Sequence, residues 1–375
     1  MVRRLLALSC AIVLVDTIFY AALYPLVPYF EDELGLSKSV VGVLSGAYGA
    51  GVLAGSVPGG YLASRAGVRI TAVVGLTLMS VTSVVFALAD STWLLVLARF
   101  TGGFGSALSW VAAFTWLVDR APEERRAELI GVMISSAVVG ALLGPVLGSV
   151  AATVGLLPAF SAVAVAGIVI AVWAAFEPAS ASTGNVSLLP ALGMLRNPLL
   201  LTSLWFIVLS PLLFSALAVL VPLDLHRLGW GAAAVGVVFL LSAVFEAFVH
   251  PMLGRWSDRS GYRRPVFVGL IASIGILLLL TWVDNPWVIG LLVVLAAGAF
   301  NASLVPGTAL FSRGTEKAGM DRAVAFAMTN FAWASGYAVG APVGGFLADL
   351  RGDALSYLTL TVVCLLTIVA LRRTA

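Results

Sequence analysis

Long apolar runs separated by short polar segments cover almost the whole chain. Twelve runs are about 20 residues long or longer, the length that an α-helix needs to cross the roughly 30 Å hydrocarbon core of a bilayer. They lie near residues 5–30, 40–62, 70–89, 92–118, 127–151, 155–176, 198–222, 232–254, 265–283, 287–311, 323–348 and 353–371. The pattern therefore predicts an all-α membrane protein with twelve transmembrane helices.

Composition supports the same fold class. The chain is 61% hydrophobic and 10% charged, with a mean hydropathy of +1.07, whereas soluble proteins are about one quarter charged. Both cysteines, Cys10 and Cys364, fall inside predicted spans, so we expect no disulfide and no metal site. A soluble globular domain is excluded.

The two halves of the chain repeat each other. GYLASRAGVRITAVVG, from Gly60, and GRWSDRSGYRRPVFVG, from Gly254, share glycines and arginines in register, 194 positions apart. Residues 177–197 form the only long polar interval, and their Pro, Ser and Gly content is typical of a linker. We therefore predict an N-terminal six-helix bundle (1–176), a cytoplasmic linker (177–197) and a C-terminal six-helix bundle (198–375). Parallel repeats of this kind are a usual way to build a transporter around a site near the bilayer midplane.

The basic residues indicate the orientation in the membrane. With the N-terminus inside, 17 of the 21 lysines and arginines are cytoplasmic, three are external (Lys38, Arg227, Arg351) and Arg99 lies within a span. The positive-inside rule then places both termini in the cytoplasm of a multi-pass protein of the cell (inner or plasma) membrane. We interpret the basic loops as topology signals, and we expect no nucleic-acid partner.

Two charged residues lie deep within the first half. Asp16 is eleven residues past the inner end of span 1, which places it about 16 Å deep. Arg99, on span 4, lies at nearly the same depth. A charge at this level costs at least about 2.5 kcal/mol, so an intramembrane acid is by default functional. We hypothesise that Asp16 and Arg99 pair, directly or through water; alternatively, Arg99 extends outward and serves topology alone.

A second titratable pair lies on span 8. Glu246 and His250 are four residues apart and therefore share one face of the helix. Their equivalents in the first half are Val52 and Ser56, so the repeat alone does not produce the pair. The pair either carries or relays protons, or forms a structural hydrogen bond between helices.

Several aromatic and amide residues within spans are candidates for lining a cavity. These are Tyr20, Trp110, Trp205, Asn301, Asn330 and Tyr337. The alternative for each is packing or contact with lipid.

Glycine and proline mark places where helices approach closely or bend. Gly140, Gly144 and Gly148 recur on one face of span 5 beside Pro145, which favours either a rocking interface or tight static packing. In span 1, Pro25 and Pro28 loosen the outer end, which either acts as a gate or only ends the helix irregularly.

The repeated loop resembles the signature loop of the major facilitator superfamily. The second copy carries Gly254, Asp258, Arg259, Gly261 and Arg263 at the spacing of that family's loop between spans 8 and 9. The corresponding residues of the first copy are Gly60, Ser64, Arg65, Gly67 and Arg69. Ser64 stands where the family has an acid, which implies a weaker latch or a hydroxyl cap at that position.

Two further stretches strengthen the resemblance. Arg99 with the glycines at 102, 103 and 105 is similar to the fourth-helix motif linked with proton coupling, and Gly140 to Gly148 is similar to the fifth-helix motif of antiporters. With Asp16, they make the chain similar to twelve-helix drug:proton antiporters. It also resembles vesicular amine transporters, without their additional buried acids on spans 10 and 11.

The resemblance implies two pseudo-symmetric six-helix bundles around a central cavity, and secondary active transport by alternating access. We expect proton-coupled efflux of small lipophilic compounds, including cationic ones, with protons and the lipid bilayer as partners. We expect no cofactor, and the sequence contains no motif typical of an enzyme or of nucleotide binding. We expect a monomer, because no feature of the sequence requires a larger assembly. The alternatives are a metabolite or sugar symporter or uniporter of the same fold, and a non-transporting membrane sensor or scaffold.

Overall fold

The computed structural model describes residues 2–122, 125–178, 197–320 and 322–373, and within them every regular element is helical. The helices are α1 Val2–Ala21, α2 Val27–Leu34, α3 Lys38–Ala66, α4 Val68–Leu88, α5 Thr92–Arg120, α6 Arg126–Val154, α7 Leu156–Ala175, α8 Pro198–Arg227, α9 Ala232–Ser260, α10 Arg263–Leu280, α11 Pro286–Lys317, α12 Arg322–Arg351 and α13 Asp353–Arg373. All twelve predicted spans are found as helices.

The first span is broken near its outer end. Helix α1 stops at Ala21, a 3₁₀ turn covers Tyr24–Leu26, and α2 begins at Val27. Pro25 lies in the 3₁₀ turn, where it offers no backbone N–H for a helical hydrogen bond. The expected loosening of this end is confirmed.

Eleven stretches of the described residues are long and apolar enough to cross a membrane, with α1 and α2 counted as one. Helix α12 is the remaining predicted span. It is 30 residues long, but glycines and polar residues such as Asn330 lower its hydropathy. The predicted linker, 177–197, lies outside the described residues except for its first two positions and its last.

Contacts between Cα atoms divide the described chain into two compact units. One unit runs to Leu26 and resumes from Ala47 to the end of α7; the other contains Val27–Gly46 and α8 to α13. Helix α3 therefore contributes its first nine residues to the second unit and the rest to the first. The bundle boundaries predicted from the sequence stay a prediction.

Glycine stripes hold one equivalent pair of helices together in each unit. On α6, a Cβ atom at Gly140 would lie 2.6 Å from the Leu14 carbonyl oxygen, and one at Gly144 would lie 2.5 Å from Ala21 Cβ, both on α1. On α12, Gly340 approaches the Leu212 carbonyl of α8 in the same way. Both stripes bring two backbones into direct contact, as small residues do in membrane helix pairs.

Candidate functional site

The buried carboxylate of Asp16 is the centre of a polar cluster in the first unit. Asp16 is 3% exposed and sits near the middle of the first span. The Tyr48 hydroxyl of α3 donates to Asp16 Oδ1 at 2.9 Å, and the Trp110 indole N–H of α5 donates to Oδ2 at 2.6 Å. The side chain of Ser106 also hydrogen-bonds the carboxylate. Three donors from two helices thus replace water around a carboxylate at membrane depth.

Arg99 lies beside this cluster, as its predicted depth required. The side chain is 1% exposed, and its Cζ lies 4.7 Å from the centre of the Tyr48 ring and 5.5 Å from that of Phe19. Its Nη1 donates to the Phe19 carbonyl at 3.3 Å. Tyr48 therefore contacts both charged residues: its hydroxyl bonds Asp16 and its ring face meets the guanidinium, a favourable cation–π arrangement. The direct pairing of Asp16 with Arg99 stays a prediction.

Tyr48 is the residue that sequence reasoning missed. It lies in the glycine-rich second span, between Gly46 and Gly49, a stretch whose small residues predict close helix packing. The available signal was chemical: a phenol in hydrocarbon needs a hydrogen-bond partner, and the nearest acid at that depth is Asp16. Tyr48 is 2% exposed.

The cluster reaches accessible surface through aromatic side chains. Trp110 and Tyr20 are both half-buried, while Asp16 beneath them is buried. Tyr20 packs on Tyr48 with ring centres 5.3 Å apart. Two of the predicted cavity residues thus lie at the Asp16 site, one side chain away from exposed surface.

The second titratable pair belongs to a separate cluster in the second unit. His250 Nε2 lies 3.3 Å from Glu246 Oε1, and their side chains are 30% and 35% exposed. Asn301 of α11 is buried, hydrogen-bonds the Glu246 side chain, and accepts a hydrogen bond from Ser210 of α8 at 3.2 Å. Asn301 thus links Glu246 on α9 to Ser210 on α8, and the role of the Glu246–His250 pair stays a prediction.

The other cavity candidates are distributed over the second unit. Trp205 donates through Nε1 to Thr367 of α13 at 3.1 Å. Tyr337 is fully buried and stacks on Trp333 with ring centres 5.5 Å apart. Asn330 is half-buried on the same helix, α12. None of these three belongs to the contacts described around Asp16 or Glu246.

The two signature loops make tight turns between helices. Gly67 (φ 90°) separates α3 from α4, and Gly261 (φ 77°) lies between α9 and α10, a backbone conformation that favours glycine. Asp258 of the second copy accepts a hydrogen bond from Arg313 at 2.6 Å, although both side chains are more than 60% exposed. Ser64, in the first copy, donates to the Tyr61 carbonyl one turn earlier at 2.8 Å.

Other loop residues have local contacts. Arg65 lies over the Tyr61 ring, Arg263 lies over the Tyr262 ring, and Gly60 and Gly254 face little or nothing at the Cβ position. Arg69 and Arg259 lie at the loop ends, near the start of α4 and the end of α9. Pro145, within α6, is three residues before Gly148, where a Cβ would lie 2.6 Å from Pro25 Cγ.

Sequence comparison identifies one family. The profile of the Major Facilitator Superfamily matches residues 9–226 and 204–374, almost the whole chain. The uncharacterized MFS-type transporter YcaD of Salmonella heidelberg is 26% identical over 284 residues, which are 73% of each chain.

Two drug-resistance proteins match over shorter segments. The multidrug resistance protein MdtL of Escherichia coli O157:H7 is 30% identical over 106 residues, 28% of this chain and 27% of MdtL. The quinolone resistance protein NorA of Staphylococcus aureus is 29% identical over 109 residues, 29% of this chain and 28% of NorA. The chain thus matches about a quarter of the length of these two relatives.

Solved structures share the fold at low identity. The nucleoside transporter NupG superimposes with a TM-score of 0.79 at 14% identity, over 99% of this chain and 98% of NupG. A bacterial homolog of the human lysosomal transporter Spinster gives 0.78 at 16% identity, over 99% of this chain and 95% of the homolog. These likenesses confirm the predicted all-α membrane fold with two pseudo-symmetric six-helix bundles.

Proposed function

Because the chain belongs to the Major Facilitator Superfamily, whose members are transporters and not enzymes, we propose that it exports small lipophilic compounds, including cationic ones, in exchange for protons. A multi-pass membrane location and a small-molecule substrate follow from the family. Our proposal adds three points to these: coupling to protons, the class of substrate, and a monomeric state.

The observation that carries the proposal is the buried carboxylate of Asp16 and its partners. Asp16 is 3% exposed within an apolar span. Burying its charge there costs free energy, so such a carboxylate is retained where its charge has a function or is compensated. Tyr48, Trp110 and Ser106 supply hydrogen bonds but no charge, and the nearby cation, Arg99, lies over the Tyr48 ring. A proton or a cationic substrate can therefore compete with Arg99 to neutralise the carboxylate.

The two carboxylate oxygens differ in how they accept a proton. A protonated carboxyl carries an O–H donor, which needs an acceptor in a buried site. The Trp110 indole can only donate, so a proton on Oδ2 would face another donor. The Tyr48 hydroxyl can both donate and accept, so rotating its O–H bond accommodates a proton on Oδ1. We therefore assign the proton to Oδ1, facing Tyr48.

Protonation at Oδ1 also affects Arg99. With Asp16 ionised, the Tyr48 hydroxyl donates to it and the electron-rich ring holds the guanidinium at 4.7 Å. With Asp16 neutral, the local negative charge is lost and Arg99 is held less firmly. The ionisation of Asp16 thus changes the stability of an arginine contact on a different helix, which is how a proton can favour one facing state over another.

Competition at Asp16 then couples the two fluxes. A ligand shifts a conformational equilibrium only through its different affinity for the two states. Proton and cationic substrate neutralise the same carboxylate, so occupancy by one disfavours the other. The chemistry requires no cofactor.

The test uses purified protein in sealed vesicles that contain a pH-sensitive dye and an acidic lumen. Lipophilic cations, neutral analogues of similar size, nucleosides and sugars are added outside one at a time. Antiport makes the lumen more alkaline as substrate enters and protons leave, whereas symport makes it more acidic. These signs do not depend on the orientation of the protein in the vesicle.

The outcomes separate the candidate functions. Alkalinisation by the lipophilic cations supports the proposal. Acidification by sugars or nucleosides would replace it with symport, and substrate uptake without a pH change would replace it with uniport. If no compound enters the vesicles and none changes the lumenal pH, a sensor or scaffold is favoured. Glu246 and His250 are proposed as a second proton site, because the two side chains lie 3.3 Å apart and Asn301 links Glu246 to α8 and α11.

A further inference from the structure

The N-terminus of α3 is fixed in place by charged side chains from the second half of the sequence. Lys38 Nζ contacts both carboxylate oxygens of Asp353, at 2.5 and 2.6 Å, and lies 3.8 Å from Asp224. Arg227 contacts Asp353 at 2.9 Å and also pairs with Asp224. These residues come from the start of α3, the end of α8 and the start of α13, and all belong to the second unit.

The backbone of α3 is held in the same place. The Asp349 carboxylate accepts from the backbone N–H of Ser39 at 2.8 Å and from that of Lys38 at 3.2 Å. A carboxylate at this position satisfies unpaired amide groups at a helix N-terminus and matches its positive dipole end. Gly345, one turn before Asp349, leaves room for the Lys38 carbonyl, which any Cβ atom would strike. Helix α12 thus caps α3 from more than 300 residues away.

Most side chains in these ion pairs are largely buried, although Arg227 is 57% exposed. The side chains of Lys38, Asp224 and Asp353 are 15%, 15% and 14% exposed. Exposed pairs contribute little because water screens them, whereas loss of one partner of a largely buried pair leaves an uncompensated charge. The Tyr357 hydroxyl also donates to Asp224 at 3.3 Å.

The opposite end of α3 has no comparable arrangement in the contacts described for its polar residues. Ser64 donates to the Tyr61 carbonyl and Arg65 lies over the Tyr61 ring, both within α3 itself. The two ends of the helix are therefore held very differently.

We propose that Lys38, Asp349, Asp353, Asp224 and Arg227 form a latch that keeps the membrane face carrying Lys38 closed, so that the state open to this face is the rarer one. The latch joins helix ends from both halves of the sequence, and alternating access, on which this inference rests, must separate them to open this face. Charge distribution predicts that this face is external. The latch is independent of Asp16 and of the identity of the substrate.

The test measures access to a buried position below the latch in intact cells. Ser45 is 2% exposed and one turn from Gly42, whose backbone packs against Ala341 of α12. The variant Ser45→Cys, with Cys10→Ala and Cys364→Ala, is treated with a maleimide that does not cross membranes. Asp284→Cys, at an exposed position on the same predicted face, gives the rate for an accessible thiol.

We expect Ser45→Cys to react far more slowly than Asp284→Cys. Adding Lys38→Ala or Asp353→Asn is expected to raise its labelling rate about tenfold to a hundredfold, the factor that corresponds to one charge-assisted hydrogen bond. Arg351→Ala removes a neighbouring exposed cation outside these contacts and serves as the matched control.

Three results would overturn the latch. The first is an unchanged labelling rate in both Lys38→Ala and Asp353→Asn. The second is rapid labelling of Ser45→Cys in the parent protein, and the third is an equal effect of Arg351→Ala. Because the assay needs neither substrate nor a proton gradient, failure of the proposed antiport would leave its outcome unaffected.

Discussion

Replacing Asp16 by asparagine tests the central role of its charge while keeping its shape. The amide oxygen can still accept from Trp110, and the amide NH₂ can donate to the Tyr48 hydroxyl, so both hydrogen bonds have a counterpart. A hydrogen bond to a charged group contributes about 1.5–3 kcal/mol and a neutral one about 1 kcal/mol. Part of this loss is offset because no charge is buried, so we expect the free energy of unfolding to change by no more than about 2 kcal/mol.

Asp16→Ala separates the structural role from the chemical one. It leaves the Tyr48 hydroxyl and the Trp110 N–H without Asp16 as acceptor, and each buried unsatisfied donor costs about 1–3 kcal/mol. We therefore expect a clear loss of thermal stability in Asp16→Ala and only a small change in Asp16→Asn. Thermal unfolding in detergent, followed by tryptophan fluorescence, compares the two.

The functional readout is proton flux driven by substrate in vesicles. An amide does not titrate, so Asp16→Asn is expected to reduce this flux to the level of empty vesicles while the protein stays folded. The matched control is Glu177→Gln, which neutralises another buried acid of the same unit, whose partners are Arg4 at 2.5 Å and Trp173 at 3.0 Å. Flux at the wild-type level in Asp16→Asn would refute the exchange mechanism.

Three further predictions follow from the contacts. Arg99→Ala removes the cation over Tyr48 and is expected to lower proton-coupled transport at least tenfold in the vesicle assay; an inert variant would end the hypothesis that Asp16 and Arg99 act together. Glu246→Gln is expected to change the pH dependence of the transport rate, and an unchanged curve would assign this residue to structure. Gly148→Ala places a Cβ against the Ala22 carbonyl and is expected to destabilise the protein by about 1–3 kcal/mol, whereas Gly131→Ala on the same helix meets nothing within 4 Å and is expected to stabilise it by about 0.5–1 kcal/mol; thermal unfolding of both variants checks the sign.

The sequence predicts the depth of a residue in the membrane much better than it predicts which residues of other helices that residue contacts. Rise per residue places Asp16 and Arg99 at one level, and the structure brings both onto Tyr48. Tyr48 itself escaped prediction because its role depends on the rotation of α3 about its axis, which glycine-rich packing sets and which no local pattern encodes. The partners of a buried charge therefore have to come from tertiary structure.

Charges near the membrane surface show the same limit. As topology signals, Lys38 and Arg227 carry information only about the side of the membrane on which they lie. Their pairing with Asp353 requires that the ends of α3, α8 and α13 meet, a contact between positions up to 315 residues apart. Sidedness is a property of single loops, whereas pairing is a property of the folded chain.

The glycine motif on α6 was interpreted as either a rocking interface or static packing. The structure identifies its partner as α1, within the same unit, with backbone atoms in direct contact. Small residues at a period of four predict that two helices approach closely, but the identity of the second helix depends on the connectivity of the bundle.

The assignment of Val27–Gly46 to the second unit has a practical consequence for hybrid proteins. A chimaera of two relatives joined at the polar interval after α7 would take Lys38 from one parent and Asp349 and Asp353 from the other. Such a hybrid keeps matched partners only if residues 27–46 are exchanged together with the later segment. Crossover points at the 3₁₀ turn around Pro25 and near Gly46 would exchange residues 27–46 as one segment.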